Sequence, residues 1–318
     1  MTAEMQVRSS RAISGRGLDL PLPEPFDIDW ALRSVRGSSF GTPYYLLGGD
    51  TVRRILCLAG EPALVDFTFS RADRRLRATL ATQPTNSRRA LNDLAGLVTH
   101  LWGLSDDLSA CHATLAADPL LAPLVGRFTG LRLIRAANLY EALLSAILGQ
   151  QISVASAQSI RRRLMDNVGD SLTVTGSEFA AYPTPARLLA AGPDGLQALG
   201  ITRQKSRYLL AVAERAEGGD LEPTRFAGVE DADVVSTLCA TPGVGRWTAE
   251  VALMYGLGRP DVFLAGDLAL QVAVQRLLGG GDRLRERDLR LVGERWAGWR
   301  SYATLYLLMT LKPGGGDV

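Results

Sequence analysis

The sequence predicts an α+β fold: a small N-terminal antiparallel-sheet domain, then a mostly α-helical domain organised around a helix–hairpin–helix. Three observations carry this. Stretches rich in β-formers, with partial alternation and turn signals, fall between residues 21 and 100. From about residue 105, leucine, alanine and arginine dominate, and apolar residues recur three and four apart. Within that half, TPGVGRWTAEVAL (241–253) sets a proline and two glycines directly before an apolar helical pattern.

The 318 residues allow two domains with a substantial core. Hydrophobic residues make up 47% and charged residues 21%, as in ordinary globular chains rather than disordered ones. No apolar run reaches the roughly 18 residues of a membrane span. The first twenty residues hold no apolar signal core, so the bacterial cytoplasm is expected and a membrane partner is not. Cys57, Cys111 and Cys239 are far apart and odd in number, which fits a reducing compartment. No CxxC pair and no cluster of four cysteines occurs, which argues against structural zinc and iron–sulfur ligation, and with His100 and His112 as the only histidines there is little raw material for His-based metal catalysis or a Ser–His–Asp triad. No cofactor and no side-chain metal site are expected. Lysine occurs only at Lys205 and Lys312, so 33 of the 35 basic residues are arginine. The net charge is only +2, so a nucleic-acid footprint has to be a local patch.

Residues 1–20 read as an arginine-bearing tail. The small α/β domain is placed at 21–104. PFDIDWALRSV (25–35) reads as a short helix with Asp27 or Asp29 as its cap. YYLLGGDTVRRILCL (44–58) and ALVDFTFSRADRRLRATLA (63–81) read as strands with turns at Gly48-Gly49 and Arg71–Arg74. The helical domain is placed at 105–312, with 313–318 as a frayed end. Breakers at Asp118-Pro119, Gly149, Pro183–Pro185, Gly192-Pro193, Gly218-Gly219, Pro242–Gly245, Gly256–Pro260 and Gly279–Gly281 divide it into roughly eight to ten helices.

DADVVSTLCA (231–240) and WTAEVALMYGL (247–257) read as two helices flanking the tight turn. Gly243 and Gly245 can take positive φ and, lacking Cβ, admit another backbone closely. Successive amides there, beside a helix N-terminus, make an anion-binding concavity that suits a DNA phosphate. Such a contact is indifferent to base sequence. The same residues also serve an ordinary αα-hairpin with a capping glycine.

LCATPGVGRWTAEVAL (238–253) resembles the helix–hairpin–helix signature of DNA-repair glycosylases. LYEALLSAILGQQISVASAQSIRRRL (139–164), YPTPARLLAAGPDGLQALGITRQKSRYL (182–209) and ERWAGWRSYATLYLL (294–308) occur in that family's order. Together they resemble the AlkA-type DNA-3-methyladenine glycosylase II group, and the N-terminal part is similar to that group's extra α/β domain. The resemblance implies a DNA glycosylase of base excision repair. Its partner would be double-stranded DNA with alkylated bases, and a monomer is expected.

The resemblance also implies site residues. About twenty residues after the hairpin the family carries a catalytic aspartate, here Asp267 in GRPDVFLAGDLALQVAVQRLL (258–278). Taken alone, Asp267 is a good N-cap. A carboxylate in a dry site can stabilise an oxocarbenium-like sugar and orient or deprotonate water. Lyase-type relatives carry a lysine in the helix after the hairpin. Trp247 stands there, so monofunctional hydrolysis is implied. Trp247 would stack on the lesion. Ser34, Val251, Leu268 and Leu308 align where familiar members have aromatics, which makes the pocket less aromatic. Tyr255, Trp296, Trp299 and Tyr302 could compensate or could simply be core. In GQQIS (149–153), Gln151 aligns with the DNA wedge, while Gln150 faces either bases or the protein interior. Arg246 and Thr248 are candidate DNA contacts with Gly243 and Gly245, and Arg161–Arg163 and the arginines of 283–300 are weaker ones. Backbone carbonyls at Cys239, Thr241 and Gly243 could hold a structural cation. The rival readings are a non-catalytic DNA-damage binder, a glycosylase for another lesion, and an 8-oxoguanine-type lyase.

Overall fold

The computed structural model describes residues 12–36, 43–280 and 282–312. Six strands form one antiparallel sheet: β1 (Ala12–Ser14), β2 (Gly17–Pro21), β3 (Tyr45–Gly48), β4 (Thr51–Leu58), β5 (Glu61–Ser70) and β6 (Arg75–Leu80), in the order β1-β2-β6-β5-β4-β3. The turn glycines Gly48 and Gly49 both have positive φ, as the Gly-Gly signal suggested. Helix α1 (Ile28–Arg36) is capped by Asp27, whose Oδ1 accepts from the Trp30 amide at 2.7 Å. Helix α2 is Ser87–Leu101. α1 and α2 cover one face of the sheet around Leu20, Phe67, Leu76 and Trp102. Trp102 meets Phe67 and Phe69 edge-on at 5.6 and 4.9 Å, an arrangement the ring quadrupoles favour.

Residues 12–20, read as part of a tail, belong to the sheet. Residues 12–14 and 17–21 are strands, and Leu18 and Leu20 are buried. The alternation Leu18, Leu20, Leu22 is a strand signal, since every second side chain faces the same side of a sheet. Residues 1–11, Gly281 and the expected frayed end 313–318 lie outside the described residues.

Eleven α-helices follow among the described residues, against the expected eight to ten. They are α3 (Leu108–Leu115), α4 (Ala122–Arg127), α5 (Leu139–Gly149), α6 (Val154–Val168), α7 (Pro185–Ala198), α8 (Arg203–Glu217), α9 (Asp231–Cys239), α10 (Arg246–Ala252), α11 (Leu268–Leu277), α12 (Glu286–Gly293) and α13 (Arg300–Met309). This half is not wholly helical. Strands β7 (Ser171–Val174) and β8 (Ser177–Ala180) form a hairpin between α6 and α7. SLTV and SEFA are too short to outweigh the helical pattern around them. α5 is buried on almost every side and forms the centre of the helical core.

Buried charges fix the sheet part against the helical part. Arg54 of β4 donates through Nη2 to both carboxylate oxygens of Glu141 on α5, at 3.0 and 2.7 Å. Arg132 donates to the carbonyls of Pro25, Gly103 and Asp106. Losing one partner of such a pair strands a buried charge, which costs several kcal/mol.

Candidate active site

α9, the turn 240–245 and α10 form the hairpin. Gly243 has φ +82°, and a Cβ there would lie 2.1–2.6 Å from the Tyr208 side chain. Only glycine fits. Gly245 departs from the expectation of positive φ: it is extended at φ −84°, ψ 175°, and is the N-cap of α10. A Cβ on it would meet nothing within 4 Å. The absence of a side chain there keeps the outer face of the turn open. α10 runs on through a π-helical turn, Leu253–Leu257.

Gln150 faces the protein: its Nε2 donates to the Gly243 carbonyl at 3.0 Å and to Thr248 Oγ1 at 2.9 Å. It fastens the α5–α6 turn to the hairpin. Thr248 is correspondingly buried, so its hydroxyl serves Gln150 and is not presented to DNA. Gly243 O and Thr241 O, two of the three carbonyls considered for a cation, accept from Gln150 Nε2 and Val244 N. Among the described residues, no cluster of three His, Cys, Asp or Glu could hold a metal.

Gln151 is exposed with φ +56°, at the tip of the α5–α6 turn, and Ile152 beside it is exposed too. Both line a groove of about 750 Å³ with the hairpin residues 239–245, Gln204, Lys205 and Tyr208. Lys205, remote in sequence, is thereby placed at the site. Its Nζ donates to the carbonyls of Leu148 and Gln150 at 2.9 and 2.7 Å, closing the C-terminus of α5. Burial holds its pKa below the usual lysine value. Arg161 does similar work: it is buried and donates to Ser145 O at 2.8 Å. It is not a surface phosphate contact. No sequence signal marks either bond, because each joins separate helices.

Asp267 caps α11. Its Oδ1 accepts from the amides of Ala269 and Leu270 at 2.8 and 3.0 Å. Its Oδ2 accepts from the Trp247 indole Nε1 at 3.0 Å. Two residues singled out separately are therefore one unit joining α10 to α11. Three of the roughly four lone-pair positions of the carboxylate are engaged, which fixes its orientation and leaves one for a ligand.

Other expected residues divide. Leu308, half-buried, lines a cavity of about 90 Å³ with Trp30, Ser34, Tyr255, Leu305, Met309 and Lys312. Tyr255 feels both burial and the charge of Asp267, and its phenol is pushed well up. Val251 is fully buried in the helical core, so a base reaches it only if its neighbours move. Leu268 is 59% exposed at the start of α11. Trp296 and Tyr302 are core: Trp296 packs on Phe263 at 5.4 Å, and the Tyr302 hydroxyl donates to Asp106 Oδ2. Trp299 is half-buried, 6.0 Å from Tyr302.

The arginines are largely committed. Arg246 pairs with the buried Glu250 at 2.9 Å yet stays 60% exposed. Arg290 holds Glu250 and Glu286, Arg295 holds Asp118, and Arg300 holds Asp261 and Glu294. Arg162 stands over the Tyr45 ring at 5.6 Å.

Comparison with known proteins gives this geometry a family. Residues 144–297 match the model of the HhH-GPD superfamily base excision DNA repair protein, and 18–138 match the AlkA N-terminal domain. A DNA-3-methyladenine glycosylase of Bacillus subtilis is 31% identical over 213 residues, covering 67% of this chain and 70% of its own. DNA-3-methyladenine glycosylase 2 of Escherichia coli is 38% identical over 181 residues, covering 57% of this chain and 61% of its own. The solved 3-methyladenine DNA-glycosylase of Archaeoglobus fulgidus shares the fold with a TM-score of 0.78, at 24% identity over 92% of this chain and 97% of that one. The chain belongs to the HhH-GPD superfamily of base excision DNA repair proteins, among its DNA-3-methyladenine glycosylases with an AlkA N-terminal domain.

Proposed function

We propose that the protein is a monofunctional DNA glycosylase that acts as a monomer on duplex DNA, extrudes an alkylated purine of the 3-methyladenine type and hydrolyses its N-glycosidic bond. The observation that carries this is Asp267, held by two amides and one indole with a lone pair still available.

Each step has a residue. The amides of the turn around Gly243 and Gly245 receive a backbone phosphate, with the exposed Arg246 beside it. Gln151 and Ile152, at the tip of the α5–α6 turn, fill the space left by the extruded base. Gln150 and Lys205 keep that turn in register with the hairpin. As the bond lengthens, positive charge grows on the sugar, and the fixed Asp267 carboxylate stabilises it. It also orients the incoming water. Trp247 occupies the place of a lyase lysine, which supports release of an abasic site rather than strand cleavage.

The test is base release from methylated duplex DNA by wild type and Asp267→Asn, with and without alkali. Release by wild type only, with breaks only after alkali, is expected. Breaks without alkali would make the protein a lyase. Tight binding to damaged DNA with no release would make it a damage binder, the reading that the thinned aromatic positions Ser34, Val251, Leu268 and Leu308 favour.

A further inference from the structure

Helix α10 carries a buried carboxylate, Glu250, one turn beyond Arg246. Glu250 Oε1 accepts from two arginines: Arg246 Nε at 2.9 Å and Arg290 Nη1 at 2.8 Å. Its Oε2 is buried without a hydrogen-bond partner among the described residues, so neutralising the group falls to those two guanidinium groups. Arg290, on α12, also donates through Nη2 to Glu286 Oε1 at 2.7 Å and is 25% exposed. Arg246 is 60% exposed, and its guanidinium makes no other hydrogen bond to the described residues. One arginine is thus committed to carboxylates, and the other is anchored by a single nitrogen with its outer edge open.

We propose that Arg290 is a positioning residue for DNA binding: it neutralises Glu250, so that this carboxylate aims Arg246 without cancelling the charge Arg246 offers to a DNA phosphate. This deepens the reading of the hairpin as a phosphate grip and rests on it. With Nε fixed on Glu250, the Nη1–Nη2 edge of Arg246 is turned to solvent, and that planar fork suits two phosphate oxygens. The anchor carries a penalty. A buried carboxylate is poorly screened, so alone it would cancel the Arg246 charge and repel the phosphate. Arg290 on the same oxygen removes that penalty, while its own two forks stay on Glu250 and Glu286. Glu286, half exposed and screened by solvent, weighs less on the phosphate.

The experiment measures anisotropy of a fluorescein-labelled duplex that holds a tetrahydrofuran abasic analogue, across a salt series, with a urea melt of each variant. Arg290→Gln keeps a donor for Glu250 but not the charge. It should bind about tenfold more weakly at low salt, with the salt slope lowered by about 0.9, as if one phosphate contact were lost. Glu250→Gln added to Arg290→Gln should return affinity to within about twofold of wild type, because the carboxylate to be neutralised is gone. Glu286→Gln added to Arg290→Gln restores the same net charge but leaves Glu250 bare, so binding should stay weak. Arg290→Lys, which keeps the charge, should bind close to wild type and guards against a folding defect in the uncharged variants. Unchanged binding in Arg290→Gln, or no rescue by Glu250→Gln, would overturn the proposal. Equal rescue by Glu286→Gln would overturn it too, leaving only net charge. If Arg246→Ala changes neither affinity nor slope, the phosphate grip at Arg246 itself fails, and this inference with it.

Discussion

Asp267→Asn separates two jobs that one side chain performs. Oδ1 caps α11 through Ala269 and Leu270, and Oδ2 takes the Trp247 indole proton. Asparagine caps helices about as well as aspartate, so with its oxygen placed at Oδ1 the cap survives. Its amide nitrogen then faces the indole N–H, donor against donor. A hydrogen bond to a charged group contributes about 1.5–3 kcal/mol, and partial exposure lowers the expected loss to about 1–2 kcal/mol. Asp267→Ala loses the cap as well, about 1 kcal/mol more. Trp247→Phe removes the indole donor, so in that background Asp267→Asn should cost only about 0.5 kcal/mol. A urea-melt cycle over the two positions should therefore show coupling of about 1 kcal/mol. In the same proteins, base release should fall about 100-fold or more in both Asp267 variants, whatever their stability. Zero coupling would refute the indole bond. Retained release in Asp267→Asn would refute the role of the charge and leave Asp267 as a cap.

Four further outcomes are expected. Gln150→Ala removes two hydrogen bonds and leaves Gly243 O and Thr248 Oγ1 without that donor, so stability should drop by about 2 kcal/mol with weaker DNA binding. Weaker binding at unchanged urea midpoint would instead mean that Gln150 touches DNA. Gly243→Ala should cost more than about 3 kcal/mol because Cβ enters the Tyr208 ring, whereas Gly245→Ala should leave the melt nearly unchanged and weaken DNA binding, measured by anisotropy. Arg246→Ala should lower the salt slope of DNA affinity by about 0.9, and an unchanged slope would exclude a phosphate contact. His100 is held to about 4 by burial and then by Arg135, below its ordinary 6.5. The unfolded chain takes up this proton first on acidification. The contribution of neutral His100 is thus complete above pH 6.5 and is lost as pH falls towards 4, about 3 kcal/mol in urea melts that His100→Gln should flatten.

Much was legible in the sequence because its signals are local. Period-two stretches gave strands β4, β5 and β6, and Pro242, Gly243 and Gly245 gave the hairpin between α9 and α10. Asp267 at the head of LALQVAVQRLL announced a cap, since capping involves only the next three residues. The resemblance added its candidate chemistry. β1 and β2 went unread because the alternation around Leu18 and Leu20 is brief, and β7 and β8 because each spans four residues.

What the sequence by itself determined is the set of local elements, the glycine-built turn and the residues offered for the chemistry. What only the tertiary structure decided is which of them meet. Trp247 and Asp267 are joined by one hydrogen bond across two helices. Gln150 binds the hairpin, and Lys205 and Lys312, remote from it in sequence, stand at the groove and at the cavity. Val251, Trp296 and Tyr302 fall into the core. The physical reason is range. Propensity, capping and turn geometry act within a few residues, while these pairings depend on how helices far apart in the chain pack and on which buried donors are left needing an acceptor.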